Sequence, residues 1–473
     1  MRPRLIALAL GVALLPAVAL TQSAPAPTPA CDTGLAQINP IFGWQLQRAQ
    51  ALRTLAAAPA TQQAAALAEW RALATEVRAD IAGLRQGLAE GRIAPAPVID
   101  RVLSQVRALD DQLAASPLAT DPAWRALLDR DLRPALAAYI DFLERDYRPK
   151  APRASSFAGR PEARTCFGEA VTQWTTLTLP PEEIEASGHR LLAEARADLA
   201  KAAGVSEADL PTLLAELRRG TPGATREELL KVTEGALSRG RAATPRFFHL
   251  DKPLPPIVVE PFAPALEADA VAGVYRPATD SAPAAYVVNL SRPEERRLMA
   301  EVIAFHETFP GHHLAFAAQR SAGSFNSGFI EGWAIYAEYL ADEAGLYATP
   351  RDRLGLHAKH MWAASRLIVE PGLHVRGWTR AQAIDFMRAN TLLSDTEIAV
   401  EVDRYLALPG QSLSYMLGAD RLRKARARAE RVLGKAFDIR RFHKMVLDAG
   451  PRPLDAVDAD VDRWIGAMAK PRT

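Results

Sequence analysis

The chain has 473 residues, with 57 Lys and Arg against 55 Asp and Glu, for a formal charge of +2. Hydrophobic residues make up 49% and charged residues 24%, the balance of a globular protein long enough for two domains or one large helical one. No basic face stands out, which argues against nucleic acid and anionic membrane surfaces as partners.

The chain opens MRPRLIALALGVALLPAVALTQSAPAPTPA, with Arg2 and Arg4 ahead of an apolar run from Leu5 to Leu15 and a small-residue Ala17-Val18-Ala19 site. This pattern predicts a signal peptide over 1–23, cleaved near Ala19 or Ser23, and a periplasmic or secreted mature protein. Pro16 interrupts a run already too short for a membrane anchor. Cys31 lies well beyond that run, which speaks against a lipoprotein. No other segment is long and apolar enough to span a bilayer, so no stable membrane association is expected after cleavage. Cys31 and Cys166 are the two cysteines. An exported chain allows one disulfide between them; two unpaired structural thiols are the alternative.

Residues 24–150 are read as an N-terminal helical region. Apolar residues recur at helical spacing from Ile38 to about Ala115, broken by Pro95 and Pro97, and again from Trp124 to Tyr147. Nothing there has ligand spacing, so the expected role is packing over a cleft. The stretch 148–165 is rich in Pro, Arg, Ser and Gly and marks the boundary to a region 151–473 that carries the chemistry. Helices are predicted at 182–203, 207–218 and 225–240. The composition then changes: Ile257-Val258-Val259 and Ala285 to Leu290 are short, β-branched runs that predict two or more strands. An edge strand there is suited to pairing with an extended peptide. Asn289 is a candidate for fixing that peptide, and a strand-ending turn is the equal alternative.

The chemistry concentrates in residues 301–338, EVIAFHETFPGHHLAFAAQRSAGSFNSGFIEGWAIYAE. His306 and Glu307 end an apolar helical run. In H-E-x-x-H zinc motifs the second His follows four residues after the first, but Pro310 occupies that position. On a straight helix His313 would lie roughly 10 Å from His306, too far for two bonds of about 2.0–2.1 Å to one ion. Pro310 and Gly311 permit a loop that returns His312 or His313 to the metal, with His312 favoured. Glu331 begins a second helical run and supplies the third ligand that a catalytic zinc requires. Glu307, beside a ligand but not itself one, is then the general base on the activated water. One zinc ion is the expected cofactor. Glu338, seven residues past Glu331, is either a partner to a ligating His or an ordinary solvated carboxylate.

These stretches, together with R-L-I-V-E-P-G-L-H-V-R-G-W-T, E-V-D-R-Y and L-P-G-Q-S-L-S-Y-M-L-G, resemble the bacterial family called domain of unknown function 885. The resemblance is nearly continuous from about Thr175 to Leu454 and weak before it. Glu370 departs from the pattern, which has Asp there. The family is similar in fold to helical zinc metallopeptidases with a Glu third ligand. The resemblance therefore implies a mainly α, helical metallopeptidase-like fold, with a small β-sheet beside the metal-binding helix and a deep cleft. It also implies that Tyr415 donates to an oxyanion; core packing is the alternative.

Helices are predicted at 350–369 and 379–389, with Glu370-Pro371-Gly372-Leu373-His374 as a turn between them. His374, Arg366 and Arg404 are candidates for substrate or transition-state contacts, against the alternative of a buried Arg–Glu network. His357, His360 and His443 have no motif around them and are assigned to structure. The resulting expectation is an exported zinc metallopeptidase cleaving short peptides. A metal-dependent hydrolase of a non-peptide amide or ester, or a catalytically silent binding protein, are its rivals.

Overall fold

The computed structural model describes residues 28, 31–35, 37–155, 157–262, 267, 271–279, 282–320 and 325–469. The signal peptide expected over 1–23 lies outside the described residues. Among those described, no helix is long and apolar enough to cross a membrane.

The architecture is mainly helical, with one three-stranded sheet. Near the N-terminus lie the helices Trp44–Ala56, Ala60–Ala89 and Ala96–Ala115. The third shows the causal pattern plainly. Val98, Ile99, Val102, Val106, Leu109 and Leu113 recur every three or four residues and all are buried, a stripe that faces the interior. The interior has two clusters. One joins residues between Leu35 and Tyr147 to residues between Val369 and Ala407. The other is built from Cys31 and residues between Phe157 and Ile465. The chain thus passes from one cluster to the other near 148–163 and returns to the first over 369–407. A disulfide joins Cys31 to Cys166, across 135 residues of sequence, and so ties the start of the described chain to the helix Ala163–Thr175.

Strands β1 (Ile257–Pro261), β2 (Gly273–Arg276) and β3 (Ala284–Val288) form the sheet in the order β1-β3-β2. β3 pairs parallel to β1 and antiparallel to β2. β3 is buried at every position, as a central strand should be. β2 is an edge, and it packs against the helix Ala300–Glu307.

One expectation is overturned. Residues 370–374 are not a turn: a single helix runs from Pro350 to His374, straight through Pro371. Proline removes one intrahelical hydrogen bond and crowds the preceding turn. Here every residue from Ala363 to His374 is buried, so tertiary packing outweighs the local penalty. The helix ends just after, where Val375 N–H and Arg376 N–H both donate to the Pro371 carbonyl.

Candidate metal centre

The helix Ala300–Glu307 stops at Thr308, whose backbone leaves the helical region at φ −116°, ψ −101°. The next peptide, Phe309–Pro310, is cis. Gly311 N–H donates to the Phe305 carbonyl at 3.1 Å, folding the chain back on the turn it has just left. A Cβ at Gly311 would lie 1.8 Å from the His306 carbonyl oxygen, so only glycine permits this approach. Trp333 Nε1 pins the loop by donating to the Pro310 carbonyl at 3.0 Å. A new helix, His312–Ala318, begins at once.

The loop returns His312 rather than His313. His306, His312 and Glu331 each offer a ligand atom, and these atoms lie within 4.8 Å of one another. Glu331 Oε2 is 3.4 Å from His306 Nε2 and 3.5 Å from His312 Nε2. For bonds of about 2.0–2.1 Å, two ligands of a tetrahedral ion stand about 3.3–3.4 Å apart; the two Glu331 separations match that spacing, and two imidazoles with a carboxylate are donors that suit zinc. Burial pushes the Glu331 carboxyl up, but hydrogen bonds from His306 and His312 and their charges hold it below the usual carboxylate range. It is an ionised donor. His313 faces elsewhere: its Nε2 lies 3.1 Å from the Pro255 carbonyl and its Nδ1 3.3 Å from the Tyr275 hydroxyl. Burial lowers its pKa, keeping it neutral.

Behind His306 stands a buried charged group. Glu338, two helical turns beyond Glu331, places Oε1 2.7 Å from His306 Nδ1. The same oxygen accepts from Lys359 Nζ, and Oε2 lies 3.0 Å from His360 Nε2. Burial raises the Glu338 pKa, yet the Lys359 charge and the hydrogen bonds from His306 and His360 bring it below the usual range. An ionised Glu338 accepts the hydrogen bond of His306 Nδ1–H, so Nε2 is the nitrogen that faces Glu331 and is available to a metal. Lys359 Nζ also lies 3.1 Å from His306 Nδ1. The shorter carboxylate contact decides the tautomer.

Glu307 is outside the donor cluster. Its Oε2 accepts the backbone N–H of Tyr275, on edge strand β2, at 2.8 Å. Oε1 has no hydrogen-bond partner among the described residues. Tyr415 stacks on His306, with ring centroids 6.2 Å apart and planes at 17°. Its position follows from a close helix crossing: a Cβ on Gly418 would lie 2.0 Å from the Gly328 carbonyl and 2.7 Å from Gly332 Cα. The helix Leu413–Leu433 can therefore bring Tyr415 against the helix Ser327–Glu343, which carries Glu331. The Arg366 guanidinium sits 4.7 Å from the Tyr415 ring centroid and 4.2 Å from that of Trp362. Arg366 and Arg404 converge on Glu401, an Arg–Glu network of the kind set as the alternative to substrate contacts.

Two candidates are placed away from any substrate. His374 is fully buried, with Nδ1 2.5 Å from Ser155 Oγ and Nε2 3.1 Å from the Tyr405 carbonyl. It stacks on Phe167, and burial drops its pKa to about 4. The unforeseen continuation of the long helix is what turns it inward. Asn289 is buried after β3, where Nδ2 donates to the Glu267 carbonyl and Oδ1 accepts from Ser291 N–H. It takes the strand-ending alternative.

Four residues at the centre were not singled out from sequence for these positions: Tyr275, Lys359, His360 and Glu401. His360 and Lys359 occupy adjacent positions on the long helix, and a Lys-His pair in a run otherwise buried was the available signal. Tyr275 lies on a strand of four residues, too short to register as alternation.

Fold and centre together define a mainly helical protein in which two buried histidines and a partly buried glutamate form a donor cluster beside a small sheet. The sequence matches the family described as bacterial proteins of unknown function, DUF885, over residues 15–461, and the chain belongs to it. A search of the curated proteins finds no match. Two solved structures share the fold. One is of a candidate lipoprotein from Colwellia psychrerythraea, 23% identical, with a TM-score of 0.69 over 83% of this chain and 74% of that one. The other is of a candidate lipoprotein of unknown function from Shewanella oneidensis, 16% identical, with a TM-score of 0.61 over 91% and 82%.

Proposed function

We propose that this protein is an exported zinc-dependent peptidase acting on short peptides. The observation that carries the reading is the pairing of a three-donor cluster, His306, His312 and Glu331, with an adjacent carboxylate, Glu307, that is held apart from it. A structural metal has no use for such a neighbour. Those three side chains would hold zinc, which when bound would polarise a carbonyl as a Lewis acid and make a water more acidic.

The protein's own groups divide the remaining work. Tyr275 N–H fixes Oε2 of Glu307, so Oε1 is the oxygen that accepts a proton from the attacking water. That proton is then delivered to the departing nitrogen. Glu338 holds His306 in the tautomer that presents Nε2. The Tyr415 hydroxyl, carried beside His306, donates to the oxygen of the carbonyl as negative charge develops there. A narrow recess, lined in part by the apolar side chains of Phe316, Phe329, Ile330 and Leu447, opens beside His312. Export follows from the signal-like leader, and the description of both structural relatives as candidate lipoproteins agrees with a site outside the cytoplasm.

The test is hydrolysis of a mixed-sequence peptide library by zinc-loaded protein, with and without chelator. Cleavage that the chelator abolishes and added zinc restores is expected. Cleavage confined to esters or non-peptide amides would overturn the peptidase reading, and so would no cleavage at all.

A further inference from the structure

Arg366 and Arg404 present more positive charge than the protein around them neutralises. Arg366 donates Nη2 to Glu401 at 3.0 Å and Nε to the Tyr405 hydroxyl at 3.2 Å. Arg404 donates Nε and Nη2 to Glu401 at 3.1 and 2.8 Å, and Nη1 to Gln411. Tyr405 also donates to Glu401, at 2.8 Å. Two guanidinium groups therefore share one carboxylate. Neither neighbouring acid makes a hydrogen bond to the pair: Asp403 pairs with Arg380, and Glu370, though it feels the Arg404 charge, accepts from Gly410 N–H, Ser412 N–H and the Ser412 hydroxyl. Buried charges are ordinarily paired, and an excess cation held out of water carries a large cost until an anion arrives.

The pair is also accessible and correctly placed. Arg366 is almost wholly enclosed, with its side chain 5% exposed, but Arg404 and Glu401 reach solvent at 15% and 16%. Arg366 Nη1 has no hydrogen-bond partner among the described residues. The guanidinium is clamped between the Trp362 and Tyr415 rings, so its planar fork is fixed in direction before any ligand binds. From it to the centroid of the His306 ring the path is at most 4.7 Å to the Tyr415 ring and 6.2 Å beyond. At ~3.3–3.6 Å per extended residue that span covers up to about three residues.

We propose that Arg366 and Arg404 form a carboxylate subsite that holds the free C-terminus of the substrate, so that the enzyme removes one to three residues from the C-terminal end of peptides. The proposal rests on the peptidase reading above and names its substrate class. The terminal carboxylate takes the second anion's place between the guanidinium groups, in charge-assisted hydrogen bonds from Arg366 Nη1 and Arg404. The bond broken is the peptide bond placed over the donor cluster. Water gives hydroxyl to the acyl carbon and hydrogen to the leaving nitrogen, and no other reactant is needed.

The experiment has a binding arm that is independent of activity. Full-length protein stripped of metal is titrated by calorimetry with an N-acetylated tripeptide bearing a free C-terminus, and with the same peptide as its C-terminal amide. The free acid is expected to bind at least ~10-fold more tightly, the lower bound for a hydrogen bond to a charged group. Arg404→Gln should abolish the preference, and Arg404→Lys should retain part of it. Arg404 is the first choice because it is the more exposed of the two, so its replacement spares the interior. Equal binding of acid and amide by the wild-type protein would overturn the subsite, as would a full preference in Arg404→Gln. In the second arm zinc-loaded enzyme is given both peptides. Equal cleavage would overturn the subsite and leave the peptidase reading standing. Cleavage of neither, with the binding preference intact, would overturn the peptidase reading and support the subsite.

Discussion

His306 Nδ1 lies 2.7 Å from Glu338 Oε1, and both side chains are buried. The contact links the first ligating helix to the second and sets which nitrogen of His306 is free. Glu338→Gln keeps the shape but removes the charge that draws the Nδ1 proton. Zinc affinity, measured in a chelator-buffered titration, is expected to fall by ~10–100-fold, the usual cost of losing a partner behind a metal ligand. Unchanged affinity would show that Lys359, 3.1 Å from the same nitrogen, controls the tautomer instead.

Glu307→Gln separates proton transfer from metal binding. Glutamine can still accept the Tyr275 N–H but has no basic oxygen. Turnover on a cleaved peptide is expected to drop by at least ~10²-fold, with zinc content and melting temperature retained. Full turnover would place the base elsewhere.

Glu370 gives a pH signature of its own. Burial, against weaker opposing hydrogen bonds from Ser412 and Gly410, pushes its pKa from the ordinary 4.5 up to about 7. Within that window the folded protein keeps a proton that the unfolded chain has released, so stability falls as pH rises, by up to ~1.4 kcal/mol per unit. Below 4.5 and above 7 the contribution is flat. Urea unfolding of the wild-type protein and Glu370→Gln across this range should show the difference between them changing with that slope. A difference independent of pH would contradict the assignment.

The histidines and Glu331 were legible because a short-range constraint exposes them. Pro310 and Gly311 between His306 and His312 only make sense if the chain must double back, and the 1.8 Å clearance at Gly311 is that same requirement seen in three dimensions. The helical periods and two of the three strands were likewise local. What escaped notice depends on contacts between distant residues. Lys359 and His360 reach Glu338 because the long helix packs against its neighbours, and no spacing rule joins positions 338 and 360. His374 turned inward because packing carried a helix through Pro371, where local propensity predicts a stop. That Arg366 and Arg404 share Glu401 follows only from the fold.

Zinc content per chain, compared by elemental analysis in wild-type protein, Glu331→Ala and Glu307→Gln after identical loading and desalting, tests the central assignment most directly. The account predicts close to one zinc in the wild type and in Glu307→Gln, and far less than one in Glu331→Ala. One zinc retained by Glu331→Ala would contradict the His306-His312-Glu331 centre, and so would its loss from Glu307→Gln.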